Sequence, residues 1–383
     1  MKIAVVWNHD SRLLDCSFRF EQYLAGLRAL GHEPVMVCAR ASAAGFEAPF
    51  HLAGDAAELR EPRFWREVGA DVAVIVTWHR MADVLEAMRA AGTRVAAIAD
   101  SDGRVGVAVF PAFALERFLA YSDGWAQRAR AVKHWLGRLG RDRRRPSAED
   151  SEAVRSTRAS HAVAFGHGEG VRLFRSFLAW HGEEALASRL VEVPFTIGAS
   201  FLSCPVLAAK DDRVVAVGRW GDPQKNAPLL ARALDLFLAA RPATEVVVYG
   251  AGGERTFAPL AARRPRLEYL GVAPQEAVAQ TLSRSRALVF SSRWEGCPHA
   301  GLEALALGAT LVGPPLPSLA SWTADGRCGR VARRPRPRDL AAALAREMAS
   351  WDAGERDPRA IAEHWRGQVA PEAVCRRLLA AVR

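Results

Sequence analysis

Short apolar runs separated by stretches of helical periodicity recur along almost the whole 383-residue chain, and this alternation constrains the fold more than any other feature. Residues 3–7 form the first run. Residues 18–30 then carry apolar side chains at helical spacing, and Gly31 stops them. Residues 34–38, 71–77 and 94–99 repeat the strand pattern, with a helix predicted over 81–91. Residues 159–164 and 190–195 read as further strands. A second series begins after Asp212, with strands predicted at 214–217, 245–249, 267–270, 287–290 and 310–312. Helices are predicted over 227–240 and 275–283, and a last one over 371–382. Such alternation predicts parallel sheets with helices on both faces. The length accommodates two such domains. Pro205 and the polar run Lys210-Asp211-Asp212 place a linker within 200–212, so the expected domains are 1–205 and 206–365, followed by a terminal helix in 366–383 that returns to the first. In open parallel sheets ligands bind beyond the carboxyl ends of the strands. Two doubly wound domains with those ends facing a central cleft are expected to hold two ligands.

Composition narrows the partners. Half of the residues are hydrophobic and a quarter charged, as in ordinary globular proteins. The net charge of +10 admits nucleic acid, an anionic membrane surface or phosphorylated substrates. Only Lys2, Lys133, Lys210 and Lys225 are lysine among 52 basic residues, an arginine skew that a compositional bias explains equally well. No basic motif interleaved with aromatics supports nucleic-acid binding. Residues 128–145 hold eight basic residues against one acid, Asp142. They read either as a solvated helix and loop or as a patch for an anionic acceptor or lipid headgroups. The six cysteines form no CxxC pair and no zinc spacing, which fits a reducing cytoplasm. The N-terminus lacks the pattern of a signal peptide, and no apolar run reaches the ~18–20 residues of a membrane span. A cytoplasmic protein is expected, with peripheral membrane contact at most.

The most informative segment is 293–308, Arg-Trp-Glu-Gly-Cys-Pro-His-Ala-Gly-Leu-Glu-Ala-Leu-Ala-Leu-Gly. Two glutamates, Glu295 and Glu303, flank a Gly/Pro loop that leads from a strand into a helix. Amides at a helix start and the positive end of its dipole suit a diphosphate. Glu303 can accept hydrogen bonds from vicinal hydroxyls such as those of a ribose, and Glu295 from a second polyol. Spacing alone equally allows Glu303 to be a dipole partner and Glu295 a loop carboxylate. A second constellation is Gly218-Arg219-Trp220 followed by Lys225-Asn226. Two cations beside a glycine turn can neutralise a diphosphate, although such residues usually face water. Third, the strand at 246–248 enters Tyr249-Gly250-Ala251-Gly252-Gly253. Arg255 replaces the last glycine of the dinucleotide fingerprint. The turn Leu270-Gly271-Val272 follows the next strand.

The segment 293–308 resembles the E-x7-E motif of retaining glycosyltransferases of family 4, which have the GT-B fold of two Rossmann-like domains. The four elements occur in that family's order over residues 214–308. The resemblance implies a nucleotide-sugar donor (UDP- or GDP-linked) on the C-terminal domain. Glu303 would hold the ribose, Glu295 the transferred sugar, and Ala300, Gly301 and Leu302 the phosphates through their backbone. Arg219 and Lys225 would clamp the diphosphate, while Gly218, Gly250, Gly252 and Val272 would line the nucleotide site. The N-terminal domain resembles the family through Gly31-His32-Glu33. Where the family has a glycine-rich first loop, this chain has Trp7-Asn8-His9-Asp10. Asn8, His9 and His79 are the expected acceptor contacts. The loop after the fourth strand reads Asp100-Ser101-Asp102-Gly103, which puts Asp100 or Asp102 forward as an acceptor-side or catalytic carboxylate. A metal-holding Asp-x-Asp and a structural turn are the alternatives there.

The expected reaction is therefore transfer of a hexosyl unit, with retention, to a hydroxyl of a glycan, a lipid-linked sugar or a small molecule, as in envelope polysaccharide or glycosylated-metabolite synthesis. The departing diphosphate would be stabilised by Arg219, Lys225 and helix amides, with no cofactor and no metal. A GT-B sugar-nucleotide 2-epimerase and a non-catalytic sugar-nucleotide-binding homologue are the competing readings.

Overall fold

The structure, a computed structural model, describes residues 1–7, 17–39, 50–53, 57–76 and 80–383. It divides into two compact units, Met1–Thr196 together with Ala370–Arg383, and Ile197–Val369.

The first unit is built on seven parallel strands: β1 (Lys2–Trp7), β2 (Glu33–Ala39), β3 (Phe50–Ala53), β4 (Val72–Val76), β5 (Arg94–Ala99), β6 (Ala162–Phe165) and β7 (Leu190–Glu192). Their spatial order is β3-β2-β1-β4-β5-β6-β7, so the winding reverses between β1 and β4. Ile3–Val6 and the whole of β4 are buried, as expected for a parallel sheet covered on both faces. The second unit has six parallel strands: β8 (Asp211–Val217), β9 (Glu245–Tyr249), β10 (Leu267–Gly271), β11 (Ser285–Val289), β12 (Thr310–Gly313) and β13 (Gly329–Val331). Their order is β10-β9-β8-β11-β12-β13, reversing between β8 and β11. The doubly wound α/β architecture expected from the alternation is present in both units.

Some expectations need correction. The edge strands β3 and β13 have no apolar run long enough to announce them. The strand expected from residue 159 begins at Ala162, because Ala148–Ala159 is a helix capped by Ser147, whose Oγ accepts the Asp150 N–H at 3.0 Å. The linker expected within 200–212 is an integral part of the second unit, and the boundary falls at Thr196/Ile197. Charged side chains hold this segment down. Lys210 donates to Ser283 O (2.5 Å) and Leu307 O (2.6 Å), at the ends of the helices Gln275–Arg284 and His299–Ala306. Burial pushes its pKa down to about 8. Arg366 donates to Ala306 O and Cys204 O at 2.8 and 2.6 Å. The return to the first unit starts at Ala370 rather than 366: the helix Pro358–Val369 packs on His299–Ala306 within the second unit, whereas Pro371–Ala381 packs on Ser17–Ala29 in the first.

In the second unit the fully buried carboxylate of Glu347 takes a two-pronged ion pair from Arg356, at 2.7 and 2.8 Å. Removing one partner of a buried pair strands the other charge. Glu347→Ala is therefore expected to cost about 3–5 kcal/mol, read as a lowered thermal midpoint, while Glu363→Ala on the exposed surface stays within about 0.5 kcal/mol of the parent.

Candidate functional site

Every donor-side residue expected from the sequence lies at or after the carboxyl end of a strand in the second unit. β8 ends at Val217 and β11 at Val289, and these adjacent strands flank the point where the winding reverses. That is where an open α/β sheet offers a crevice. The loops leaving the two strands are joined there. Arg293 N–H donates to Gln224 O (2.8 Å), the Gln224 side-chain amide donates to Trp294 O (2.7 Å), and Ser291 Oγ donates to Lys225 O (2.6 Å). At the centre, Lys225 Nζ meets Glu295 Oε1 at 2.5 Å, and Ser292 Oγ donates to the same oxygen at 2.6 Å. Glu295 is buried. Lys225 is delivered by a short 3-10 turn, Pro223–Lys225, in which Asp222 Oδ1 accepts the Gln224 N–H at 2.9 Å. Asn226 then turns through the left-handed region (φ 52°) into the helix Ala227–Ala240.

Arg219 stands apart from this buried pair. Its side chain is 76% exposed and meets the edge of Asp222 at 3.4 Å. Its neighbours explain the posture. Trp220 is buried, donates from its indole to Tyr249 O (2.8 Å) and from its backbone to Ala251 O (2.7 Å), and pins the loop after β8 to the loop after β9. The two loops stack backbone on backbone. A Cβ at Gly250 (φ 117°) would overlap Gly218 O, and one at Gly252 (φ 77°) would sit 2.6 Å from Gly221 N. The glycines expected to approach a nucleotide thus first allow these loops to approach each other. Tyr269 completes the rim by donating to Gly250 O at 2.7 Å and accepting the Gly253 N–H at 3.1 Å. Val272, after β10, is exposed.

Glu303 is buried in the helix His299–Ala306. Of the three amides expected to meet phosphate, those of Gly301 and Leu302 donate to Pro298 O at 3.0 and 3.3 Å, and Ala300 precedes them in the first turn. Gly301 is small for a packing reason, since a Cβ would lie 3.1 Å from the rings of both Phe290 and Trp322. Sequence reasoning missed Gln224 and Ser292, which hold Glu295, and Trp220 and Tyr269, which hold the glycine loops. The only local signals were their positions beside the motif residues.

In the first unit, Asn8, His9 and His79 lie outside the described residues. Asp100 and Asp102 part company. Asp102 is buried, and its carboxylate is engaged by Arg104, accepting the backbone N–H (3.0 Å), Nε (3.0 Å) and Nη2 (2.5 Å). It is committed to the turn. Asp100 is exposed on the wall of a cavity of about 680 Å³ that also reaches Arg80, Phe113, Tyr121, Arg138 and Asp150. The basic segment 128–145 is carried largely by the helix Gly124–Asp142, whose first turns are exposed on every side, with Trp125 84% accessible. Among the described residues no group of three or more His, Cys, Asp or Glu is arranged to hold a metal ion, and no helix is long and apolar enough to cross a membrane.

The fold is that of the GT-B glycosyltransferases. Solved structures with this fold include the Anabaena protein Alr3699/HepE in complex with UDP (TM-score 0.67, 12% identity, 99% of each chain covered) and a glycosyltransferase from Rickettsia africae (TM-score 0.66, 8% identity, 99% of this chain and 97% of that one). Sucrose-phosphate synthase of Thermosynechococcus elongatus is also similar (TM-score 0.63, 15% identity, 100% of each chain). Within the fold, residues 211–350 match the family described as Glycosyl transferases group 1, so the resemblance seen in the sequence holds at this level. The chain is also 31% identical over 175 residues to phosphatidyl-myo-inositol mannosyltransferase of Mycolicibacterium smegmatis, across 42% of this chain and 43% of that protein. The match thus spans less than half the length of that relative.

The Lys225–Glu295 pair makes a stability test possible. Lys225→Met should leave Glu295 buried without its cation and destabilise the second unit by on the order of 3 kcal/mol. Adding Glu295→Gln should recover most of the loss. Equal thermal midpoints for the single and double variants would show that the pair is not coupled.

Proposed function

We propose that the chain is a metal-independent, retaining glycosyltransferase that moves a hexosyl unit from a nucleotide-diphosphate sugar to an acceptor hydroxyl, with UDP as the preferred nucleotide. The observation that carries this reading is the buried Lys225–Glu295 pair at the switch point, with exposed Arg219 on the same loop. A diphosphate entering there can exchange places with Glu295 as the partner of Lys225. The lysine keeps a counter-charge, and the released carboxylate can accept hydroxyls of the transferred sugar. Arg219 is exposed and can swing onto the same phosphates. As the glycosidic bond breaks, charge builds on the departing diphosphate, and the two cations, buried Lys225 and mobile Arg219, stabilise it without a metal. Glu303 is assigned to the ribose. The UDP preference is supported by the Anabaena protein Alr3699/HepE, whose structures hold UDP and UDP with glucose. The first unit is assigned to the acceptor, and the basic helix Gly124–Asp142 to a peripheral contact with anionic lipid.

The test is release of nucleoside diphosphate from UDP- and GDP-linked hexoses by the full chain. Arg219→Ala and Lys225→Ala are each expected to lower kcat about 10²–10³-fold, the usual cost of losing one charge-stabilising donor. Glu303→Ala should weaken donor binding. Turnover should persist in excess EDTA, and NMR of the product should show the anomeric configuration of the donor. Activity abolished by EDTA would remove the metal-free reading, an inverted product would remove retention, and preference for GDP-sugars would remove the choice of base. Sedimentation with phosphatidylglycerol vesicles tests the lipid contact, which Trp125→Ala should weaken.

A further inference from the structure

The two serines that follow β11 are both buried, and they serve different loops. Ser291 Oγ reaches across to Lys225 O, on the loop after β8, at 2.6 Å. Ser292 Oγ stays within its own loop and donates to Glu295 Oε1, three residues on, at 2.6 Å. An ionised carboxylate can only accept, so the hydroxyl is the donor. Lys225 Nζ meets the same oxygen at 2.5 Å from the neighbouring loop. Oε1 therefore carries a cation from one loop and a neutral hydroxyl from the other. The second carboxylate oxygen is held differently. Gln224 Nε2 stands 3.4 Å from Glu295 Oε2, the outer limit of a hydrogen bond, and has a closer partner in Trp294 O at 2.7 Å. Gln224 is itself fixed through its backbone. Its N–H donates to Asp222 Oδ1 (2.9 Å), and its carbonyl accepts the Arg293 N–H (2.8 Å). Oε2 is thus the oxygen with acceptor capacity to spare.

The two donors to Oε1 differ in what a diphosphate does to them. An ammonium on a flexible stem is what a phosphate competes for, and Lys225 can follow it. The Ser292 hydroxyl is short, buried and carried by the same loop as Glu295, so it stays when the lysine leaves. A short O–H···O⁻ bond is charge-assisted and stronger than a neutral one. Without it, a Glu295 side chain released by Lys225 would regain rotamer freedom, and Oε2 would lose its aim. A group that recognises a ligand needs its own orientation fixed by neighbours that the ligand does not displace. Among the contacts to Glu295, the Ser292 hydroxyl meets that requirement.

We propose that Ser292 is a positioning residue: it holds Glu295 in orientation once Lys225 turns to the diphosphate, so that Oε2 accepts a hydroxyl of the donor's sugar. The proposal rests on the transferase reading. The test is calorimetry of the full chain with UDP, UDP-glucose, UDP-galactose, GDP and GDP-mannose, beside kcat and KM from release of nucleoside diphosphate. The ratio of nucleotide-sugar to nucleotide affinity isolates the contacts made by the sugar. Ser292→Ala is expected to keep nucleotide affinity within about twofold of the parent while that ratio falls about fivefold and kcat about tenfold, the usual scale of a lost hydrogen bond to a charged group. Ser292→Thr, which restores the hydroxyl, should recover most of the lost kcat. In a Glu295→Ala background, Ser292→Ala should change the ratio no further, because the carboxylate it positions is gone. A merely structural serine would instead lower nucleotide affinity and the thermal midpoint in both backgrounds, which would overturn the proposal. So would a parental ratio and kcat in Ser292→Ala, with the transferase reading left intact. Should Ser292→Thr crowd the site, seen as a lowered thermal midpoint, the comparison of backgrounds decides alone. A parent chain that binds neither nucleotide nor nucleotide sugar would sink both readings.

Discussion

The ion pair between Lys225 and Glu295 is the contact on which the second unit's site depends. It joins loops that leave two neighbouring strands on opposite sides of the winding reversal. Taking both charges out of water is unfavourable by itself, and such a pair is retained only where geometry or function requires it. Gln224 and Ser291 repeat the connection with neutral hydrogen bonds, as does the Arg293 N–H to Gln224 O, so the loops would stay joined without the charges. The charged pair therefore adds something other than cohesion. It keeps an ammonium and a carboxylate desolvated at the carboxyl end of a parallel sheet, where the proposed reading has them meet different parts of the donor.

The glycine turns show the same division between scaffold and site. Gly250 and Gly252 sit where the sequence pattern suggests a nucleotide would approach, yet their missing side chains first let the loops after β8 and β9 stack, with Trp220 as the clasp. Gly301 likewise makes room for Phe290 and Trp322. Close approach to a ligand and close approach to protein backbone impose the same requirement on a residue. A glycine motif alone cannot distinguish them. Here the stacked loops leave Arg219 as the exposed cation of its loop, so the packing role presents the residue that the proposed function uses.

Much of this was legible in the sequence because it is local. Strands β5 and β9 and the helix Ala227–Ala240 coincide with their predicted spans, since a buried parallel strand must be a continuous apolar run and a surface helix must be periodic. Glu295 and Glu303 are found by spacing because strand, loop and helix follow one another without interruption. What was not legible depends on tertiary contacts. β3 and β13 are strands only because an edge accepts them. Residues 200–212 look like a linker until Lys210 and Arg366 are seen to anchor the segment to helix ends. Asp102 and Asp100 look equivalent until Arg104 claims one of them.

Asp150 is the clearest case, because its sequence context points the wrong way. Serine followed three residues later by aspartate predicts a helix start with both groups satisfied, and nothing in the pattern hints that one of them is not. Only the fold buries that carboxylate beside His181 and a second acid, Asp142, and burial pushes its pKa up. Local rules describe what a chain does when stability alone decides. A buried group that forgoes an available local hydrogen bond marks a place where tertiary packing decides instead. The two units thus differ in how they disclose their chemistry. In the second, the candidate residues lie in contiguous motifs whose loops the fold brings together. In the first, the departure at Asp150 from the local rule is visible only when the helix that carries it is placed against its neighbours.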